Sequence, residues 1–379
     1  MIKKPIAFLT AMCLLLPTVG CGSRKNNTYT AESSTVTESA AVSAEDNAPD
    51  EKNAALEYWT EGSPAAESIM KFVEEVCDES SGSYLPPAER IAVFDVDGTL
   101  CGERFPTYFD NCLMLHRLLH DDTYEAPAED KAYAEAYEKA LQAGGEEPDY
   151  DKSSGQILAE AFEGFTVDEY RAYVRGFMSE PAVGFEGMTY GEGFFKPMVS
   201  LVKYLSENGF RVYLCSGSER NMVREYTKDA LGEWVPPCNI IGTTFSLKAE
   251  QQGETEGRKY DLAPDDRVLY EGNMLTKNQK MNKVFAIVNE IGEAPVLAFG
   301  NSSGDFSMAR YTVQNGGKAY MLLCDDTERD HGDIDTAAGF AEKCSAEGYE
   351  TVSMKKDFTL IYGENVVCVD HRRESQKAA

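Results

Sequence analysis

Five short apolar runs punctuate the chain between residues 91 and 324: Ile91-Ala92-Val93-Phe94, Val212-Tyr213-Leu214-Cys215, Ile240-Ile241, Val296-Leu297-Ala298-Phe299 and Tyr320-Met321-Leu322-Leu323-Cys324. Unbroken apolarity over so few residues is the mark of a strand buried on both faces, not of a sheet with one wet face. Between most of the runs the period becomes helical. Leu201, Val202 and Leu205 make a stripe that ends at Gly209, a favourable residue just past a helix, immediately before the second run. Ile69, Phe72, Val73 and Val76 show the same spacing ahead of the first. This alternation predicts a doubly wound, parallel α/β sheet. No internal repeat competes with it.

More than one crossover helix separates the first two runs. Residues 101–195 are rich in Ala, Glu and Tyr at 131–143, 156–162 and 167–177, and are read as a helical cap over the carboxyl ends of the strands. The strands themselves fall in 55–100 and 196–379. At about 150 residues per domain, 379 residues hold one large domain or two, and 42% hydrophobic residues suffice for a core. Sixty-four acids against 36 bases give a net charge of -28, with no basic run, which excludes nucleic-acid phosphates as the main partner.

The first 20 residues are set apart as a leader. Lys3 and Lys4 precede an apolar stretch, Ile6 to Leu16, too short for a resident span, and Thr18-Val19-Gly20-Cys21 offers a small-residue cleavage site ending in cysteine. This resembles a bacterial lipoprotein signal, the alternative being an ordinary secretory signal cut nearby. The resemblance implies that Cys21 becomes the lipidated N-terminus, anchoring the protein to the bacterial cell membrane outside the cytoplasm through that lipid alone. Residues 21–54 carry too few large apolar side chains to fold and are read as a flexible tether. Cys215 and Cys324, inside apolar runs, are expected to be buried thiols. A location outside the cytoplasm permits disulfides, but the eight cysteines beyond Cys21 are spread without a dense framework and allow 105 pairings, and no Cys/His cluster has zinc spacing.

Chemistry gathers where the strands end. The first runs directly into Asp95-Val96-Asp97-Gly98-Thr99-Leu100, so two carboxylates one residue apart emerge where glycine permits a sharp turn. Such a pair can supply a nucleophile and a neighbouring acid/base. The second strand ends in Ser216-Gly217-Ser218, hydroxyls and N–H groups suited to phosphate oxygens. The fourth ends in Gly300-Asn301-Ser302-Ser303-Gly304-Asp305, an oxygen-rich loop suited to a hard cation. Lys277, Lys280 and Lys283 precede the helix that leads to it.

The order Asp95-x-Asp97-Gly-Thr, Ser216, lysine, Gly-Asn301-x-x-x-Asp305 resembles the four motifs of the haloacid dehalogenase superfamily, in the branch similar to phosphoserine phosphatase. The resemblance covers about residues 65 to 370 and implies a Rossmannoid core with an inserted helical cap. It implies Asp95 as the nucleophile that becomes phosphorylated and Asp97 as the acid/base. It further implies Ser216, with Gly217, as holder of the phosphoryl group, and Mg²⁺ bound by Asp95, the Asp97 carbonyl, Asn301 and Asp305. Among the lysines, Lys283 best matches the arrangement in related hydrolases, with Lys280 next. Asn301 departs from the aspartate many relatives carry and is expected to weaken the cation site. Substrate choice would lie in the cap.

Dehalogenases need only the nucleophile, so Asp97 favours a phosphatase acting on a small phosphorylated substrate. A phosphotransferase or mutase shares the pair, and a surface lipoprotein using a decayed fold for binding is the reading from another class. Glu103 and Arg104, just past the nucleophile loop, are the further candidates for reaching substrate. His116, His120, His331 and His371 are scattered and read as structural or exposed, and the cap tyrosines as packing.

Overall fold

The computed structural model describes residues 56–369, apart from 105 and 146. The leader, Cys21, the tether, His371 and the last residues of the expected core lie outside the described residues.

Seven strands form the main sheet: β1 (Ile91–Phe94), β3 (Arg211–Glu219), β4 (Ile240–Ala249), β5 (Val268–Thr276), β6 (Leu297–Gly300), β7 (Lys318–Leu323) and β8 (Glu350–Ser353). Their order is β5-β4-β3-β1-β6-β7-β8. Two short strands, β2 (Phe185–Glu186) and β9 (Val367–Cys368), pair antiparallel apart from it. β1 is central, parallel to β3 on one side and β6 on the other. The chain winds outward from β1 through β3 to β5, then returns to lay β6, β7 and β8 on the opposite side. The winding therefore reverses beside β1, where a crevice opens at the strands' carboxyl ends. The doubly wound α/β class is the class observed, with one addition. β5 runs antiparallel to β4, and its apolar residues are broken by Glu271, Gly272 and Asn273, so it shows no continuous run.

The two faces of β1 explain its unbroken apolarity. Ala92 and Phe94 enter the larger core, whereas Ile91 and Val93 enter a second core with Met308, Ala309 and Cys344. Phe94 stacks on Phe299 at 4.3 Å and Phe299 on Tyr320 at 5.4 Å, so one aromatic row crosses β1, β6 and β7. Helix α1 (Pro64–Cys77) starts on a Ser63 side chain that accepts from the Ala66 N–H, with proline in its first turn.

Between β1 and β3 lie α2 (Phe109–Leu119), α3 (Ala128–Gln142), α4 (Ser154–Ala161) and α5 (Val167–Phe177), then α6 (Lys196–Glu207). Phe109, Leu113, Ile157, Phe162, Tyr170 and Val174 bury their side chains in the larger core. Helix α4 leans on the sheet's antiparallel edge: the Gln156 amide donates to Gly272 O at 2.9 Å and accepts from Met274 N at 3.0 Å. Two of the tyrosines, Tyr124 and Tyr173, enclose the chain's own Arg117, whose guanidinium lies 4.4 Å and 5.2 Å from their ring centres. Helices α7 (Arg220–Tyr226) and α8 (Lys228–Leu231) follow β3. The remaining helices are α9 (Met281–Ala286), α10 (Phe306–Gln314), α11 (Ile334–Glu347) and α12 (Met354–Asp357). Cys215 is a fully buried thiol and Cys324 a partly buried one. Among the described residues no helix is long and apolar enough to cross a membrane.

Candidate active site

Asp95 continues the line of β1, its N–H donating to Phe299 O of β6 at 2.9 Å. The chain then turns at Gly98, whose φ of +76° suits glycine, and where a Cβ would lie 1.9 Å from Asn301 Nδ2. Lys283 reaches in from α9. Its Nζ lies 2.6 Å from Asp95 Oδ1 and 2.7 Å from Asp305 Oδ1, with the lysine only 2% exposed. The other Asp305 oxygen accepts from Asn301 N and Ser302 N, both at 3.1 Å, and from Ser302 Oγ at 3.2 Å. Gly300 makes room for this, since a Cβ there would meet the Asp305 side chain at 2.6 Å. From β3, Ser218 Oγ donates to Asp97 Oδ2 at 2.9 Å.

These groups surround a cleft of about 230 Å³. Asp95, Asp97, Ser218, Lys283 and Asn301 form its sheet side, and Tyr108, Asp110, Asn111, Glu147 and Ser154 its other wall. A larger groove of about 710 Å³ runs along α1 beside Tyr204 and Asn208, but it lies away from the strand ends where the paired carboxylates stand. Chemistry, not size, selects the smaller one.

The cleft is short of positive charge. Burial pushes the Asp95 carboxyl up to about 7, with Asp305 adding to the push and Lys283 opposing it. Burial likewise holds Asp97 at about 7, reinforced by the charge of Asp110 and opposed by the Ser218 hydrogen bond. Glu103 rises to about 7 by burial, against the stabilising amide of Asn301. Burial works against the Lys283 ammonium, but Asp305 and Asp95 outweigh it and hold it above the ordinary lysine range.

The structure brings Asp95, Asp97, Lys283, Asn301, Asp305, Glu103 and Gly217 together around one cleft. Of the three lysines, Lys283 is the one whose ammonium meets Asp95. Lys277 lines the cleft 3.8 Å from Asp110, and Lys280 is exposed. Ser216 is fully buried, its Oγ accepting from Ser218 N at 3.0 Å, while Gly217 and Ser218 line the cleft. Arg104 turns elsewhere, its Nη1 donating to His331 O at 3.4 Å. Sequence reasoning passed over Ser218 as the partner of Asp97, although it stands in the same hydroxyl run. It also passed over Asn278, whose Nδ2 donates to Ser216 O at 2.9 Å and ties the lysine segment to β3. The cleft residues of the helical wall carry no motif, and only the fold places them there.

The donor chemistry fits Mg²⁺. Mg²⁺ takes oxygen ligands, usually one or two carboxylates, and keeps several waters. Asp95, the Asp97 backbone carbonyl and the Asn301 amide oxygen provide such a set beside an excess of carboxylates. Among the described residues no group of three or more His, Cys, Asp or Glu forms a ready cage, which a cation retaining its waters does not require. Asp305, with both oxygens taken by protein donors, holds Lys283 and the 301–305 turn.

Among solved structures, a protein of unknown function from Bordetella pertussis Tohama I is 14% identical, covering 70% of this chain and 98% of its own, at a TM-score of 0.44. A conserved, functionally unknown protein from Anaerococcus prevotii is 14% identical over 76% of this chain and 92% of its own, at 0.46. A phosphoserine phosphohydrolase-like protein from Francisella tularensis is 15% identical over 68% and 99%, at 0.36. No curated protein matches the chain. The sequence model of the haloacid dehalogenase-like hydrolases matches residues 92–310, from the strand that delivers Asp95 to the helix after Asp305, and the chain belongs to that family.

Proposed function

We propose that the protein is an Mg²⁺-dependent phosphomonoester hydrolase, acting through a phosphorylated Asp95 on a small ester outside the cytoplasm. The observation that carries this reading is the Lys283 ammonium seated between Asp95 and Asp305, with Asp97, two residues after Asp95, held by Ser218. An Asp95 oxygen attacks phosphorus and the bond to the alcohol oxygen breaks, its electron pair staying on that oxygen. Asp97 gives the oxygen a proton; a carboxyl held up at about 7 keeps that proton available near neutral pH. Asp97 then takes a proton from water as it attacks the phosphorus, which releases inorganic phosphate and restores Asp95. Lys283 keeps the nucleophile aligned, and Gly217 and Ser218 face the phosphoryl group. Mg²⁺, when bound, would offset negative charge on the phosphoryl oxygens.

Residues of the helical wall, Tyr108, Asn111 and Glu147, would contact the alcohol and so select the ester. The leader and Cys21 support an extracytoplasmic, lipid-anchored location. The test is phosphate release from p-nitrophenyl phosphate by the purified protein, with Mg²⁺ and with EDTA. Mg²⁺-dependent release that disappears in Asp95→Asn is expected; no release with any divalent cation, across a panel of small esters, would overturn the reading. For the anchor, Cys21→Ala should move the protein from the membrane fraction to the soluble one.

A further inference from the structure

Asn301 poses a chemical problem that the fold answers. An asparagine amide has an acceptor end and a donor end, and it presents its oxygen reliably only if the NH₂ is taken by an acceptor. Here both ends are engaged from the turn that carries Asp97. Asn301 Nδ2 donates to Glu103 Oε2 at 2.9 Å, and Thr99 Oγ1 donates to Asn301 Oδ1 at 3.3 Å. The two side chains converge over Gly98, where a Cβ would meet Asn301 Nδ2 at 1.9 Å and Glu103 Oε2 at 2.5 Å. Glu103 is therefore seated on an amide; among the described residues no lysine or arginine stands within ion-pair distance of it, and the charge of neighbouring Arg104 favours its ionised form from farther off.

Given the reading that this cleft takes Mg²⁺, we infer that Glu103 and Asn301 act as one split carboxylate, the amide supplying the oxygen and Glu103 the charge. Glu103 is a positioning residue: it fixes the amide and, through it, strengthens the oxygen as a donor to a cation, as carboxylates behind metal ligands do. With Glu103 ionised, the unit carries a single negative charge, as one aspartate at position 301 would. Restoring aspartate at 301 alone does not simply improve the site, because it sets a second carboxylate against Glu103 at the distance where an N–H now lies.

The test uses the full chain and Mg²⁺ alone, with two readouts: Mg²⁺ affinity by calorimetry and the melting temperature in EDTA. E103Q keeps an acceptor for Asn301 but loses the charge, and should weaken Mg²⁺ binding by about ten- to a hundredfold, the effect typical of such partners. N301D should melt below wild type in EDTA, since two carboxylates then abut. E103Q/N301D moves the charge to 301 and leaves an amide at 103 to face it, so it should regain wild-type Mg²⁺ affinity within about threefold, a margin well inside that loss. It should also regain the EDTA melting temperature. E103Q that binds Mg²⁺ like wild type, or a double variant no better than E103Q, would overturn the split carboxylate while leaving the hydrolase reading standing. Wild-type protein that takes up no Mg²⁺ at millimolar concentration would overturn both.

Discussion

Lys283→Met keeps the length of the side chain and removes the ammonium, which isolates what that charge does for the fold. In the native protein Nζ lies 2.6 Å from Asp95 and 2.7 Å from Asp305, and these carboxylates are 8% and 1% exposed. Without it, two buried carboxylates face each other with no cation between them, at the cost of an unpaired charge or of a proton taken up by Asp95. Breaking a buried pair by removing one partner costs about 3–5 kcal/mol, which at roughly 2 °C per kcal/mol for a chain of this size lowers the melting temperature by roughly 6–10 °C. The loss depends on pH. Asp95 already stands at about 7 in the folded protein, against about 3.9 for an unfolded aspartate, and removing Lys283 raises it further. A carboxyl raised by folding holds its proton more tightly in the native state, so its contribution is fully present below the unfolded value and disappears as pH rises through the folded one. The variant's deficit should therefore be smallest at about pH 5, where Asp95 is protonated in both proteins and only the pairing with Asp305 is lost, and should grow above pH 7 by about 1.4 kcal/mol per pH unit, reaching about 2 kcal/mol more at pH 8.5. Thermal melts of both proteins in EDTA across that range provide the assay. D95N/K283M, with a neutral amide facing Asp305, should recover much of the loss at the higher pH. A K283M deficit below about 1 kcal/mol at pH 8.5, well under the cost of breaking a buried pair, would refute the reasoning, as would a deficit that did not grow with pH.

Asp95→Asn should lower kcat by about three orders of magnitude or more while the circular dichroism spectrum stays native, because the amide retains the volume of the nucleophile and not its charge. Arg104→Ala should change kcat/KM by less than about twofold in phosphate-release assays, an effect of the size expected for a surface charge, since its guanidinium points to His331 O and not into the cleft. Asp330 is pushed up to about 6, chiefly by burial, with its hydrogen bonds from His331 N and Tyr362 opposing. The contribution of Asp330 to wild-type stability should therefore fall as pH rises from about 4 to 6. Asp330→Asn, which keeps an oxygen for both donors, should match wild type near pH 4 and exceed it by about 1–3 kcal/mol near pH 8 in urea titrations.

The local chemistry of the three strand ends and of the lysine segment was written in the chain. A run such as Ile91–Phe94 is buried on both faces whatever surrounds it, because continuous apolarity leaves no face for water. Asp95 and Asp97 follow it without a gap, so the end of β1 had to deliver both carboxylates to one turn, and Gly98 permits the positive φ that turn adopts. Three lysines before one helix were equivalent by composition. Only the packing of α9 distinguishes Lys283, which is buried against Asp95, from Lys280, which faces solvent.

What the tertiary structure alone decided are the relations between segments far apart in the chain. Ser218 meets Asp97 across 121 residues and Glu103 meets Asn301 across 198, and no local spacing encodes either distance. The antiparallel β5 was invisible because its stability comes from pairing with β4 and from the Gln156 contacts of α4, not from an apolar run of its own. Arg104 looked as well placed as Glu103 one residue away, yet the turn sends one side chain to the cleft and the other to His331. Periodicity and propensity are properties of neighbouring residues and survive in the bare sequence. Which carboxylate ends beside which amide depends on how the sheet winds outward from β1 and back, a long-range arrangement set by burial over the whole core.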